Sequence, residues 1–112
     1  MTHTQLTLSP LEVSAILALI EAGGESYGVP IHERIAQLEG RDTSIGAVYA
    51  ALHRLADKRL VTSWLGERSE ERGGRAKKYF RLTAEGYSMA HDIYRRAAGT
   101  VAIIEALGLG AS

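Results

Sequence analysis

Along residues 8–22 the segment LSPLEVSAILALIEA places apolar side chains at 8, 11, 15, 19 and 22 and again at 13, 16, 17 and 20, which makes two stripes along one helix. One stripe serves the chain's own core; the other serves that core too or faces a second subunit. Ser9, Pro10 and Glu12 supply a start, with a cap oxygen, a proline in the first turn and a carboxylate at the third position. Gly23 and Gly24 supply the stop. A second helix is predicted within 28–39, where Ile31, Ile35 and Leu38 form a narrow apolar stripe, His32, Glu33, Arg34 and Gln37 face out, and Pro30 lies in the first turn. Beyond Gly40, DTSIGAVYAALHRLADKRL reads as a third helix capped by Thr43 or Ser44, with Ile45, Val48, Leu52 and Leu55 inward. Its outward face holds Gly46, Ala47, Ala50, His53, Arg54 and Asp57. A merely solvated face would carry long charged side chains, so the tiny residues of its first half, which let the backbone approach another surface closely, imply a packing surface of some kind.

Two short strand-like runs follow, LVTSWLGE and AKKYFRLT, separated by the polar segment RSEERGGR, and predict an antiparallel hairpin. Thr83 then caps a last helix, TAEGYSMAHDIYRRAAGTVAIIEALG, in which Tyr87, Ala90, Tyr94, Ala97, Val101 and Ile104 recur at alternating spacings of three and four, a coiled-coil-like seam. So small a core offers little for this helix to pack on, so a second copy of the chain is the expected partner. The predicted dimer surface is this seam together with Leu11, Ala15 and Leu19 of the first helix. Three helices, a hairpin and a further helix make a mainly α fold with a small β-hairpin, of the winged helix-turn-helix type. The expected division is a DNA-binding domain over 1–82 and a C-terminal dimerisation helix over 83–112.

Composition narrows the function classes. The chain has 112 residues, and 46% of them are hydrophobic, which suits one small globular domain and a partner chain. It has no cysteine, hence no disulfide, no thiolate nucleophile and no cysteine-ligated zinc. The opening MTHTQLTLSP has neither the basic run nor the apolar core of a signal peptide, and no apolar stretch approaches the roughly 18 residues of a membrane span. A cytoplasmic protein without a membrane partner is expected. The formal net charge is zero, but residues 1–40 carry one base and five acids, residues 41–96 twelve bases and seven acids, and residues 97–112 only Glu105. Positive potential therefore concentrates on the middle segment, which suits an anionic partner.

The residues SIGAVYAALHRL and GGRAKKYFRLTAEG, in that order, resemble the PadR family of transcriptional regulators. Ser44, Gly46, Val48, Tyr49, Leu52 and Leu55 match that family's third helix. Gly74, Arg75, Lys78, Tyr79, Leu82 and Thr83 match its wing, and LSPLE at 8–12, Tyr27, Gly28 and Ile31 its first half. The resemblance covers residues 8 to about 90, and the single last helix is similar to the small subclass. This chain departs in having Ala50 where the family often has Pro, Arg59 where it has Gly before the strand, and Val29 and Pro30 where an aromatic and an acid are common. Its only tryptophan, Trp64, lies in the first predicted strand, so a ligand stacked on a last-helix tryptophan is not implied. The resemblance implies repression by blocking polymerase.

Duplex DNA contact is expected from Thr43, Ser44, Gly46, Ala47, Tyr49, Ala50, His53 and Arg54 on the third helix and from Arg72, Arg75, Lys77 and Lys78 on the wing. Hydroxyls, cations and the helix N-terminus would bind phosphate. The alanines would meet thymine methyls, and Arg54 would meet guanine if it reaches. Tyr49 reads equally as a half-buried packing ring, and Arg54 as an ion-pair partner of Asp57 or a neighbour. The four histidines, His3, His32, His53 and His91, show no metal-ligand spacing and read as surface side chains. Glu70 and Glu71 sit in the hairpin tip without a pocket for acid–base chemistry, so an enzyme, a metal and a cofactor are not expected. The readings are a homodimeric DNA-binding repressor relieved by an unidentified small-molecule effector, a winged-helix protein-interaction module, and a small ligand-binding dimer without DNA function.

Overall fold

Helix α1 (Pro10–Glu21) begins at a capping box: the Ser9 side chain accepts from the Glu12 N–H at 3.2 Å while the Glu12 carboxylate accepts from the Ser9 N–H at 2.7 Å, so two otherwise orphan donors are satisfied. The computed structural model describes residues 7–68 and 76–108. At the end of α1 the chain turns through Gly23 and Gly24, both at positive φ, and the Gly24 N–H returns to the Leu19 carbonyl at 2.7 Å. After that turn come β1 (Glu25–Tyr27), α2 (Gly28–Glu39), α3 (Ile45–Asp57), β2 (Val61–Arg68), β3 (Ala76–Leu82) and α4 (Ala84–Ala106). The expected mainly α architecture with a small β element is present.

The expected hairpin is the larger part of a three-stranded antiparallel sheet in the order β1-β3-β2. Strand β1 has no signature of its own: it is three residues long and becomes a strand because β3 offers a free edge, which pairs Glu25 with Arg81, Ser26 with Phe80 and Tyr27 with Tyr79. On the other side of β3, Val61 pairs with Leu82 and Trp64 with Tyr79. Alternation along β3 turns Phe80 and Leu82 into the core and leaves Lys77 and Arg81 exposed. Trp64 stacks on Tyr79 with ring centroids 5.6 Å apart, and Tyr27 tilts against Tyr79 at 5.5 Å. These cross-strand aromatic contacts stiffen the base of the wing.

Ala15, Ile16, Ala18 and Leu19 of α1, Ile31 and Ile35 of α2, Val48, Leu52 and Leu55 of α3, Leu60, Val61, Phe80, Leu82, and Met89 and Ala90 of α4 form one core. Several expectations are corrected by this packing. Ala15, Leu19 and Ala90 are buried inside the chain's own core, so they offer a partner subunit no surface, and Leu11 packs half-buried against the same cluster. The apolar side chain that α1 leaves exposed is Ile20. Leu38 and Ile45 were expected inward, yet they are 38% and 41% exposed. Both flank the turn between α2 and α3. At the first position of α3 the side chain of Ile45 leans back toward the helix start.

Helix α3 ends at Lys58, after which Arg59 takes φ +64°. This is the left-handed region that L side chains enter at a cost. The conformation is held by the hydrogen bond of the Thr83 hydroxyl to the Arg59 carbonyl at 2.8 Å and by that of the Leu60 N–H to the Leu55 carbonyl at 2.9 Å. The place where the family resemblance calls for glycine is thus a place where the backbone does. Arg59→Gly is expected to raise the free energy of unfolding by about 0.5–1 kcal/mol, the relieved strain exceeding the added entropy of the unfolded chain. Urea denaturation at one fixed protein concentration checks this.

Candidate nucleic-acid interface

The sequence makes α3 amphipathic, with Val48, Ala51, Leu52 and Leu55 buried and Gly46, Ala50, His53, Arg54 and Asp57 outward. Ser44 caps it, its hydroxyl oxygen accepting from the Ala47 N–H at 3.0 Å, while other first-turn N–H groups stay available to an anion. No atom lies near the place a Gly46 side chain would occupy, Ala50 is exposed and Ala47 half-buried. The middle of this face is therefore backbone and methyl groups, with Ile45 beside it. Ile45 is the residue the sequence reading missed here, because at a helix end the stripe continues past the point where the core stops.

The remaining expected contacts divide. The Thr43 hydroxyl donates to Glu39 at 3.3 Å and its carbonyl meets the ring of His32, so Thr43 closes the turn between α2 and α3. His32 is correspondingly half-buried rather than a surface side chain. Tyr49 is half-buried, its hydroxyl end lying over Gly28, where any Cβ would collide with it, and its ring 6.1 Å from that of Phe80. It is a packing ring, and Gly28 makes room for it. His53 is exposed, and its ring lies 6.4 Å from that of Tyr49.

On the wing, Arg72, Arg75, Glu70 and Glu71 lie outside the described residues. Lys77 is exposed with its ammonium 4.6 Å above the Tyr27 ring, whereas Lys78, one residue on, turns to the side of Phe80 and is half-buried. The two lysines therefore do not share one face. Arg81 is engaged by Glu25 at 3.0 Å and lies over Trp64 at 4.8 Å.

Arg54 has a partner, though not Asp57. Its Nε donates to Glu12 at 3.2 Å, and Lys58 donates to both oxygens of the same carboxylate at 2.9 and 3.0 Å. Glu12 is 1% exposed. Burial alone would push its carboxyl up, but the Ser9 N–H, Lys58 and Arg54 together outweigh burial and hold it below the ordinary carboxylate range. A depressed folded-state pKa contributes stability that is complete above the ordinary carboxylate range and fades as pH falls through the folded value. Glu12→Gln is expected to lower stability at pH 7 by about 1–3 kcal/mol. That deficit shrinks below about pH 4, as urea midpoints of both proteins between pH 3 and 7 will show. The signal for this cluster was in the sequence, but Glu12 read there only as a helix cap.

Among the described residues no group of three or more His, Asp and Glu side chains could hold a metal, and no helix is long and apolar enough to cross a membrane. A search of curated proteins returned no match. Among solved structures the chain is similar to a PadR family transcription regulator from hypervirulent Clostridium difficile, at 23% identity over 91% of this chain and 100% of the other, with a TM-score of 0.66. A transcriptional regulator from Clostridium thermocellum matches at 25% identity, covering 84% of this chain and 88% of the other, with a TM-score of 0.62. A winged-helix DNA-binding protein from STIV shares the fold at 17% identity, covering 74% of this chain and 82% of the other, with a TM-score of 0.58. The profile of the transcriptional regulator PadR-like family matches residues 16–92, which hold all of the core but Ala15, the small-residue face of α3 and both wing strands. The chain belongs to the PadR-like family of transcriptional regulators.

Proposed function

We propose that the protein is a sequence-specific DNA-binding repressor that acts in the cytoplasm as a homodimer on an inverted-repeat operator and is released by a small-molecule effector. The observation that carries this reading is the small-residue face of α3, with Gly46 and Ala50 exposed and Ala47 half-buried. A helix surface of hydrogen and methyl groups lets the backbone descend into the major groove, which admits one helix and presents thymine methyls and base acceptors there. The exposed Lys77 supplies charge for the phosphates beside the groove.

The homodimer rests on α4. Its first two turns belong to the core through Gly86, Met89 and Ala90, but Tyr94, Val101, Ile103 and Ile104 are exposed, an apolar strip that a lone small domain rarely leaves in water. Tyr94, Ala97, Ala98, Val101 and Ala102 lie along one open side of α4, small and apolar enough for a second helix to approach. In this arrangement residues 1–82 bind DNA and residues 83–112 join the subunits, with two recognition helices about one helical turn, roughly 34 Å, apart. An effector that changed the angle between subunits would spoil that spacing.

Selection from a random duplex pool, paired with sedimentation at low micromolar protein, tests the reading. Enrichment of an inverted repeat whose half-sites are one turn apart, bound by a dimer, is the expected result. A folded monomer, or a pool that stays random, overturns it.

A further inference from the structure

We infer that Glu12 is a positioning residue for DNA recognition, holding Arg54 of α3 by its Nε so that the Nη1 and Nη2 edge of the guanidinium is presented, pre-oriented, to an acceptor on the duplex. The inference rests on the DNA-binding reading above. Arg54 lies one turn beyond Ala50, on the outward side of α3, and its side chain is 48% exposed. Glu12 reaches it from α1, 42 residues earlier in the chain, and is itself 1% exposed.

That contrast in burial sets the geometry. The carboxylate is fixed from three sides: the Ser9 N–H at 2.7 Å, the Lys58 ammonium at 2.9 Å, and the core beneath it. Lys58 is fixed in turn, since its ammonium also donates to the Thr7 carbonyl at 2.7 Å. Arg54 Nε meets an anchored acceptor, and among the described residues its two terminal nitrogens make no hydrogen bond. A guanidinium is a rigid planar fork with donors on more than one edge. Fastening one edge to a buried carboxylate therefore fixes where the other points and removes most of the rotamer freedom that a free arginine would lose on binding. A lysine ammonium also has several donors, but they rotate about the Cε–Nζ bond and form no planar fork, so fastening one does not fix where the others point.

The charge on Glu12 gives the test its sign. Replacing it by Gln keeps an oxygen for the Ser9 N–H and hence the cap, but makes each subunit more positive by one charge. If Glu12 merely offsets charge, Glu12→Gln tightens binding to DNA; if it positions Arg54, the same change weakens binding to the selected site. The experiment measures affinity for the duplex enriched from the random pool, and for a scrambled duplex, with wild type, Glu12→Gln, Arg54→Ala, the double variant and Arg54→Lys. Circular dichroism establishes that each is folded. Expected are a roughly tenfold loss on the selected site for Glu12→Gln, a similar loss for Arg54→Lys although its charge is retained, and no further loss when Glu12→Gln is added to Arg54→Ala.

Glu12→Gln binding as well as or better than wild type overturns the inference, and so does a Glu12→Gln loss that persists in the Arg54→Ala background. Should Glu12→Gln fail to fold, Arg54→Lys decides alone: wild-type affinity for the selected site overturns the inference, and a tenfold loss there without one on the scrambled duplex supports it. A wild type that enriches no site removes the DNA-binding reading and the role of Glu12 with it. A wild type that enriches a site but shows an additive cycle removes the role of Glu12 alone.

Discussion

Ala50→Glu is expected to weaken specific DNA binding by about 100-fold or more while leaving the fold and the oligomeric state unchanged. Ala50 is exposed in the second turn of α3, opposite the buried Val48 and Leu52, so the longer side chain displaces nothing in the core, and glutamate is compatible with a helix interior. On a groove-inserted helix, however, that carboxylate would stand among phosphates and base acceptors, where like-charge contact costs several kcal/mol. A titration of the selected duplex with both proteins measures the loss, and far-ultraviolet dichroism and sedimentation should superimpose. Equal affinity for the same sites would show that α3 is not the reading element and would favour a protein-interaction role for the domain.

The second large effect is on stability and appears as a contrast within one helix. Gly86→Ala is expected to destabilise the protein by about 2 kcal/mol, whereas Gly99→Ala, thirteen residues along α4, should stabilise it by up to about 1 kcal/mol, the ordinary helix preference for alanine. Gly86 is buried where α4 crosses the start of β2, and a Cβ there would collide with the Leu60 carbonyl oxygen and press on a Leu82 methyl. That carbonyl is held by the Thr83 N–H at 3.0 Å, so it cannot retreat without losing a hydrogen bond, and overpacking against backbone outweighs propensity. Around Gly99 a Cβ would meet nothing within contact distance. Urea unfolding at fixed protein concentration measures both, because a dimer's stability depends on concentration. A stabilised Gly86→Ala protein would mean that α4 does not dock on the Leu60 turn.

Local chemistry made much of the fold readable. The Ser9 and Glu12 capping box, the Thr83 cap and the 28–39 bounds of α2 all stand where the sequence puts them, and Ser44 is one of the two caps it offered for α3, because caps and helix periods depend on residues within one or two turns. The two long strands were legible for the same reason, since strand-forming residues bounded by a polar, glycine-containing break are a local signal. Strand β1 was not, because three residues carry no measurable period and their pairing is supplied by β3 from more than fifty positions away.

The candidate interface divides along the same line. By itself the sequence determined the small-residue face of α3 at Gly46, Ala47 and Ala50, the apolar seam of α4 through Tyr94 and Val101, and the membership in a regulator family that these patterns carry. Only the tertiary structure decided that Ala15, Leu19 and Ala90 are spent inside the core, that Tyr49 lies over Gly28, that Lys77 and Lys78 turn to opposite sides of β3, and that Arg54 answers to Glu12 across α1 and α3. A helical period says which residues share a face, whereas what that face meets depends on contacts between segments distant in sequence, and those exist only once the chain has closed on itself.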